Sequence, residues 1–259
     1  PVGNNLNNKG EYWYKRKYIS ELLSSNNFYE IQTLSFADSE SNKIFSPEKN
    51  PVTVINPIDQ TQENLRTNLL FSLINTYKYN YENNSVSHKY YEINNIYDDG
   101  KHKLYKNIPN QEYSLAFLIP EYESNTDSRG ELIHNDIHTL TNFIKLLFPQ
   151  VQFEQISRPG FHKNYSYILK LNNQIIGFMG KLSYKAQSSF NLDTPLYIMQ
   201  INTENFNLNE VEVIKYQPLS SFPFIKFDLS FSVKNDFRAS ELIEYIETLL
   251  PNNENKISI

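Results

Sequence analysis

Cysteine is absent from the 259 residues, and glycine (7), methionine (2) and tryptophan (1) are scarce. Without cysteine there can be no disulfide, thiolate nucleophile or thiolate metal site, which fits a reducing compartment such as the cytoplasm. No apolar run approaches the roughly 20 residues needed to span a bilayer, and the opening PVGNNLNNKG lacks the apolar core of a signal peptide. A soluble, cytoplasmic protein with no membrane association is expected. The net charge of -5 argues against a strongly basic protein that coats nucleic acid. The start at proline and the apolar-alternating end, KISI, suggest an excised fragment. What is abundant is Tyr, Phe, Asn and Lys, a bias typical of AT-rich coding sequence that carries little functional information.

The chain is long enough for one large domain or two smaller ones. EYWYKRKYISELLSSNN reads as a helix with Tyr14, Tyr18, Ile19, Leu22 and Leu23 on one side, stopped by Asn26-Asn27. FYEIQTLSF and PVTVIN read as strands. In NPIDQTQENLRTNLLFSLINTYKYN, Asp59 followed by Gln62 has the form of a capping box, so a helix is expected from near Gln60. Leu65, Leu69, Leu73 and Tyr77 would form its apolar stripe, with Leu70 and Ile74 beside it and Arg66 next to it. KYYEINNIY, a turn at Asp99-Gly100, and EYSLAFLIP follow as strand, turn, strand. RGELIHNDIHTLTNFIKLLFP carries Ile133, Ile137, Leu140, Ile144 and Leu147 at helical spacing and ends at Pro149. SYILKLNNQIIGFMGKL predicts a hairpin about Asn172-Asn173, and PLYIMQINTENF a further strand. From Tyr216 a proline-punctuated linker feeds a strand and then the helix RASELIEYIETLLP, so a domain boundary is placed near Lys215. Strands joined by hairpins, with helices between them, indicate an α+β fold with an antiparallel or mixed sheet.

Four patterns suggest chemistry. His134 and His138 sit four apart, but Asn135 stands where a metalloprotease helix needs Glu and no third ligand is evident, so solvated histidines are the reading. GFMGK, Gly177 to Lys181, has Ile175 and Leu182 where a phosphate loop needs Gly and Ser or Thr; strand bending is the reading. The pairs Asp98-Asp99 and Glu121-Glu123 have the residue types of acid-base or metal sites, but lie at a turn and a strand end. YWYKRKY mixes aromatics with Lys15, Arg16 and Lys17, the types that meet phosphates and stack on bases, against a solvated helix face. No nucleophile-and-base arrangement stands out.

Taken in order, SELLSSNNFYEIQTLSF, VINPIDQTQENLRTNLLFSLINTYKYN, YYEINNIYDDG, DSRGELIHNDIHTLTNFIKLL, QIIGFMGKLSY and YQPLSSFPFIKFDLSFSV resemble the beta subunit of bacterial-type phenylalanyl-tRNA synthetase. The NP…LRT-LL and SSFP…DL segments are the most specific. The resemblance implies a class II synthetase-like antiparallel sheet over residues 1–215 that has lost catalytic function. It implies a truncated ferredoxin-like anticodon-binding module over 216–259. The implied partners are an alpha subunit, in an α2β2 assembly, and tRNA; ATP and magnesium belong to the complete enzyme, with no cofactor, metal or catalytic residue in this fragment. Structural or interface roles fall to Asn56, Pro57, Asp59, Arg66, Leu69, Leu70, Phe222, Pro223 and Asp228, and tRNA contact to Lys15, Arg16 and Lys17. Arg66 is expected to hold the helix start to carbonyls or carboxylates. Two departures stand out: His162 to Ser166 keeps only the ends of the family's His-Pro-Gly-Arg-Ser-like turn, and Lys226-Phe227-Asp228 lacks the usual arginine. A protein-interaction module that retains the fold without a role in a synthetase is the alternative.

Overall fold

The computed structural model describes residues 5–83, 88–102, 108–126, 128–203, 230–234, 237, 242, 245 and 246, with side chains from Trp13 onward. The chain divides into two compact units, Pro1–Glu212 and Val213–Ile259.

The larger unit opens with helix α1 (Asn5–Ser25), which ends where Asn27 takes a left-handed φ of 63°. Strand β1 (Phe28–Glu30) follows, then β2 (Phe36–Ala37) and the short helix α2 (Ser39–Phe45), capped by Asp38. The expected continuous strand through FYEIQTLSF is thus broken after Glu30. PVTVIN is loop, apart from a lone bridge from Thr53 to Asn64.

The helix expected from Gln60 begins ten residues later. Gln60–Gln62 form one 3-10 turn, in which the Gln62 N–H donates to the Asp59 carbonyl, and Asn64–Leu65 form strand β3. Helix α3 runs Leu70–Glu82. Its free N–H groups at Leu70 and Phe71 donate to the Asn68 side chain, so Asn68 supplies the cap that Asp59 does not.

Strands β4 (Lys89–Lys101) and β5 (Pro109–Pro120) are the long antiparallel pair foreseen in the sequence. Asp99-Gly100 does not make their turn: β4 runs through it with a register shift, and the Asp98 carboxylate accepts the Gly100 N–H. A small hairpin, β6 (Tyr122–Thr126) and β7 (Leu132–His134), precedes helix α4 (Ile137–Leu147). Next come β8 (Gln152–Gln155), β9 (Phe161–Leu171), β10 (Gln174–Leu182), helix α5 (Tyr184–Ser189) and β11 (Leu196–Asn202). The β9–β10 turn is Asn172-Asn173, both with positive φ as a two-residue type I′ loop requires.

Seven strands form one sheet in the order β1-β4-β5-β11-β10-β9-β8, antiparallel except for the β1–β4 pair. Alternate residues pack against two helical layers. Leu115, Phe117 and Ile119 of β5, with Tyr197 and Met199 of β11, meet Ile19 and Leu23 of α1 and Leu140 and Ile144 of α4. Ala116, Leu118 and Ile198 meet Phe45 of α2, Leu70, Leu73 and Ile74 of α3, and Ala186 of α5. This two-sided burial explains why LAFLIP reads as an unbroken apolar run. Tyr14, expected inward on α1, is exposed, while Tyr18 and Leu22 only flank the core.

In the smaller unit, Leu242, Tyr245 and Ile246 are helical, within the expected terminal helix. Residues 230–234 are irregular, although a strand was expected through Val233. Phe222, Pro223 and Asp228 lie outside the described residues.

Candidate functional site

A buried polar cluster lies inside the larger unit, under the start of α3. Arg66 and Glu92 both have 0% side-chain exposure and meet at 3.1 Å. Two charges taken from water require extensive pairing. Glu92 receives it, and Arg66 receives it at Nε and one terminal nitrogen, while its other terminal nitrogen is buried without a partner. Arg66 donates Nε to the Asn95 carbonyl at 3.1 Å and a terminal nitrogen to Thr33 Oγ1 at 2.7 Å and Ser72 Oγ at 3.3 Å. Glu92 accepts from the Thr33 N–H and hydroxyl and from Asn94 Nδ2. Thr33 thereby bridges the two ions, taking a hydrogen bond from one and giving one to the other.

The rest of LRTNLL is equally inward. Asn42 of α2 accepts from the Thr67 N–H at 2.8 Å and hydroxyl at 3.0 Å, and donates to the Leu65 carbonyl. Gln200 of β11 accepts from the Leu69 N–H at 2.8 Å. Leu69 and Leu70 are buried in the α3-side core. The segment that looked like a helix start with an arginine beside it is a polar seam joining β4, α2, α3 and β11. Arg66 lies before the helix rather than along its stripe, yet it does reach Ser72 in the first turn. Glu92, Thr33, Asn42 and Gln200 were missed from sequence. Glu92 left one signal: in KYYEINNIY it shares the alternation of Tyr90 and Ile96, both buried, and a carboxylate at such a position demands a partner.

Asn56, Pro57 and Asp59 do the opposite and stand on an exposed loop. Ile55 and Ile58, on the same loop, are 94% and 88% exposed.

Each carboxylate of Glu121 and Glu123 holds a lysine. Glu121 accepts from Lys181 Nζ at 3.0 Å and from the Tyr197 hydroxyl at 3.4 Å; burial pulls the Lys181 amine down, but these contacts win and its pKa is raised. Burial, ahead of its charged neighbours, raises the Tyr197 phenol. Glu123 pairs with Lys89 at 3.1 Å and accepts from Asn135, while Lys89 stands over the rings of Phe28 and Phe143. These pairs tie the β6–β7 hairpin to the sheet.

His134 and His138 do not share a helix face. His134 ends β7, and α4 starts only at Ile137 with Asp136 as its cap. Burial works against the ionised Asp136, but the Thr139 N–H and hydroxyl and the nearby His138 outweigh it and lower its pKa. Among the described residues no three His, Asp or Glu side chains gather as a metal group. GFMGK lies in β10, where a Cβ at Gly177 would run into the Gln200 carbonyl and one at Gly180 into the Tyr165 carbonyl; both glycines serve close strand packing. His162–Ser166, matched above to a turn, is part of β9; the turn is Pro159-Gly160, with Gly160 at φ 80°. Of the α1 cations, Arg16 is held by Glu30 at 2.6 Å and Tyr113 at 2.9 Å, and Lys17 lies over Trp13 and near Glu21.

The solved structures with a similar fold include pyrrolysyl-tRNA synthetase from Desulfitobacterium hafniense, at a TM-score of 0.55 and 9% identity over 75% of this chain and 67% of that one. At that identity the likeness is one of fold. Curated relatives named phenylalanine--tRNA ligase beta subunit match nearly the whole chain. The protein from Halalkalibacterium halodurans is 25% identical over 92% of the chain and 30% of its own length. That from Aster yellows witches'-broom phytoplasma is 27% identical over 94% and 29%, and that from Thermotoga maritima 24% identical over 91% and 30%. The chain therefore spans about three-tenths of the length of these relatives. The family model described as phenylalanyl tRNA synthetase beta chain CLM domain matches residues 2–203, and the chain belongs to that family.

Proposed function

We propose that the chain is the synthetase-like, non-catalytic core of a phenylalanine-tRNA ligase beta subunit, which works by assembling with an alpha subunit. In the α2β2 assembly, alpha would bind ATP, magnesium and phenylalanine, form the adenylate and pass the acyl group to tRNA. The observation that carries the non-catalytic part is the position of Arg66. The arginine of the chain's signature segment is spent on a buried carboxylate, a carbonyl and two hydroxyls, beneath helices that cover the centre of both sheet faces.

The loop carrying Asn56, Pro57 and Asp59 is our candidate for contact with alpha, because Ile55 and Ile58 stand almost bare in water there. Exposed apolar side chains grouped on one loop are what an interface would cover. Residues 216–259 are proposed to be part of a ferredoxin-like anticodon-binding module that uses Phe222, Pro223 and Asp228 in its structure. No helix among the described residues is long and apolar enough to cross a membrane, and we place the assembly in the cytoplasm, where its tRNA substrate would be.

The test is to mix the chain with the matching alpha subunit and follow co-elution, then to assay phenylalanylation with the whole beta subunit. Co-elution, with activity only when alpha is present, is expected. Failure to associate would sink the assignment and favour an interaction module outside the synthetase. Aminoacylation by the isolated chain would sink the claim that it is non-catalytic.

A further inference from the structure

Pairing between β9 and β10 shifts twice: by one residue between Ile175 and Gly177, and more widely at the other end, where Ser166 lies opposite Gly180 but the next pair is Phe161 with Leu182. Four residues, His162 to Tyr165, stand against Lys181 alone. A strand with surplus residues must push them out of the ladder, and such bulges re-aim side chains. This one is held firmly. The Asn164 N–H donates to His162 Nδ1, the Asn164 carbonyl accepts from Gln155 of β8, and Gly180, by lacking a Cβ, lets the Tyr165 carbonyl approach. Lys163, Asn164 and Tyr165 are exposed, and the Tyr165 and His162 rings lie 5.2 Å apart.

A second group joins it. The Ser183 N–H donates to the Gly160 carbonyl, two residues before the bulge, so the chain leaves β10 close beside it. The next two residues are Tyr184, 83% exposed, and Lys185, also exposed. Unlike Arg16 and Lys17 of α1, which face Glu30 and Glu21, neither Lys163 nor Lys185 has an ion-pair partner among the described residues. Two uncompensated cations beside two exposed tyrosine rings, in a chain of net charge -5, match a strand of phosphates and unstacked bases.

We infer that the β9 bulge, His162 to Tyr165, together with Tyr184 and Lys185, is a surface that docks single-stranded nucleic acid, here an unpaired segment of tRNA. The lysines take phosphates and the tyrosines take bases. The inference rests on the proposed function for the choice of tRNA, but it is tested separately from assembly with alpha.

Fluorescently labelled tRNA is titrated against the 259-residue chain at several salt concentrations. Each neutralised phosphate contributes about 0.7 to 0.9 to the slope of log affinity against log salt. Lys163→Ala with Lys185→Ala should therefore flatten the slope by about 1.5 and weaken binding at low salt. Tyr184→Ala should weaken binding about tenfold with the slope unchanged, the loss of one stacked base, and Tyr184→Phe should restore it. These residues are exposed, and unchanged thermal melting of each variant shows that the fold is intact. Lack of tRNA binding by the parent chain, or equal binding by all variants, overturns the surface whether or not the chain co-elutes with alpha. It is equally overturned if the variants bind tRNA normally but lose alpha, which would make the bulge a protein interface.

Discussion

Removing one member of the Arg66–Glu92 pair should be among the most damaging single changes in the larger unit, and the two removals should not cost the same. In Arg66→Met, Glu92 is left buried and charged, but it keeps the Thr33 N–H, the Thr33 hydroxyl and Asn94 as donors. In Glu92→Leu, Arg66 is left charged with only neutral acceptors, Asn95, Thr33 and Ser72. Breaking a buried pair costs about 3–5 kcal/mol. The first change should therefore lie near 3 and the second near 5 on that scale, out of a total stability of about 5–15 kcal/mol. In urea unfolding followed by far-UV circular dichroism, with m of about 2–3 kcal/mol/M, Arg66→Met would lower the midpoint by about 1–1.5 M. The double change removes both charges, so its cost should fall short of the sum by at least about 1–2 kcal/mol. A loss below about 1 kcal/mol for Arg66→Met, or strict additivity in the double variant, would refute the claim that this pair locks the fold.

Three further outcomes follow from the local geometry. Asn68→Ala removes the acceptor at the start of α3 and should cost about 1–2 kcal/mol in the same unfolding assay. Asp136→Ala should destabilise α4 by about 1 kcal/mol at neutral pH. Because the folded-state pKa of Asp136 is lowered, its contribution is complete above the unfolded carboxyl pKa and disappears as pH falls through the folded one, so parent and variant should converge in acid titrations of stability. Gly180→Ala puts a methyl against the Tyr165 carbonyl and 2.8 Å from the Phe161 ring; as the carbonyl is backbone and cannot rotate away, a loss of about 1–3 kcal/mol in thermal melting is expected.

Long periodic segments announced themselves in the sequence. The β4–β5 pair, the Asn172-Asn173 hairpin, β11 and the bodies of α1, α3 and α4 all follow from apolar spacing and turn residues. Short apolar alternation misleads at PVTVIN and FYEIQTLSF, which are mostly loop; at the polar positions the cause is that local chemistry does not reveal what the far side of the fold supplies. Asp59-x-x-Gln62 has the form of a cap, yet the residue that caps α3 is Asn68, hidden inside an apolar run. HNDIH has helical metal spacing, but Asp136 caps a helix that excludes the first histidine. Arg66 is visible as a singular residue, but apart from Ser72 its partners are 33, 29 and 26 residues away at Thr33, Asn95 and Glu92. No short window contains them, and only the pleat of β4 hints that Glu92 faces the same interior.

Apart from Gly160, where positive φ coincides with the Phe45 ring 2.6 Å from the Cβ position, the backbone separates two demands that one amino acid can meet. Rotation to positive φ is supplied by asparagine at Asn27, Asn172, Asn173 and Asn191, and by glycine at Gly130 and Gly160. Room for an approaching carbonyl is supplied by glycine at Gly177 and Gly180, where any Cβ would collide. Asparagine tolerates the left-handed region because its short amide can bond locally, but it cannot shed its Cβ. A chain under compositional pressure can therefore exchange glycine for asparagine wherever an angle is wanted and nowhere that space is wanted. Low glycine content in such a protein does not mean few turns, and a glycine at negative φ inside a strand, as at Gly177 and Gly180, marks backbone crowding.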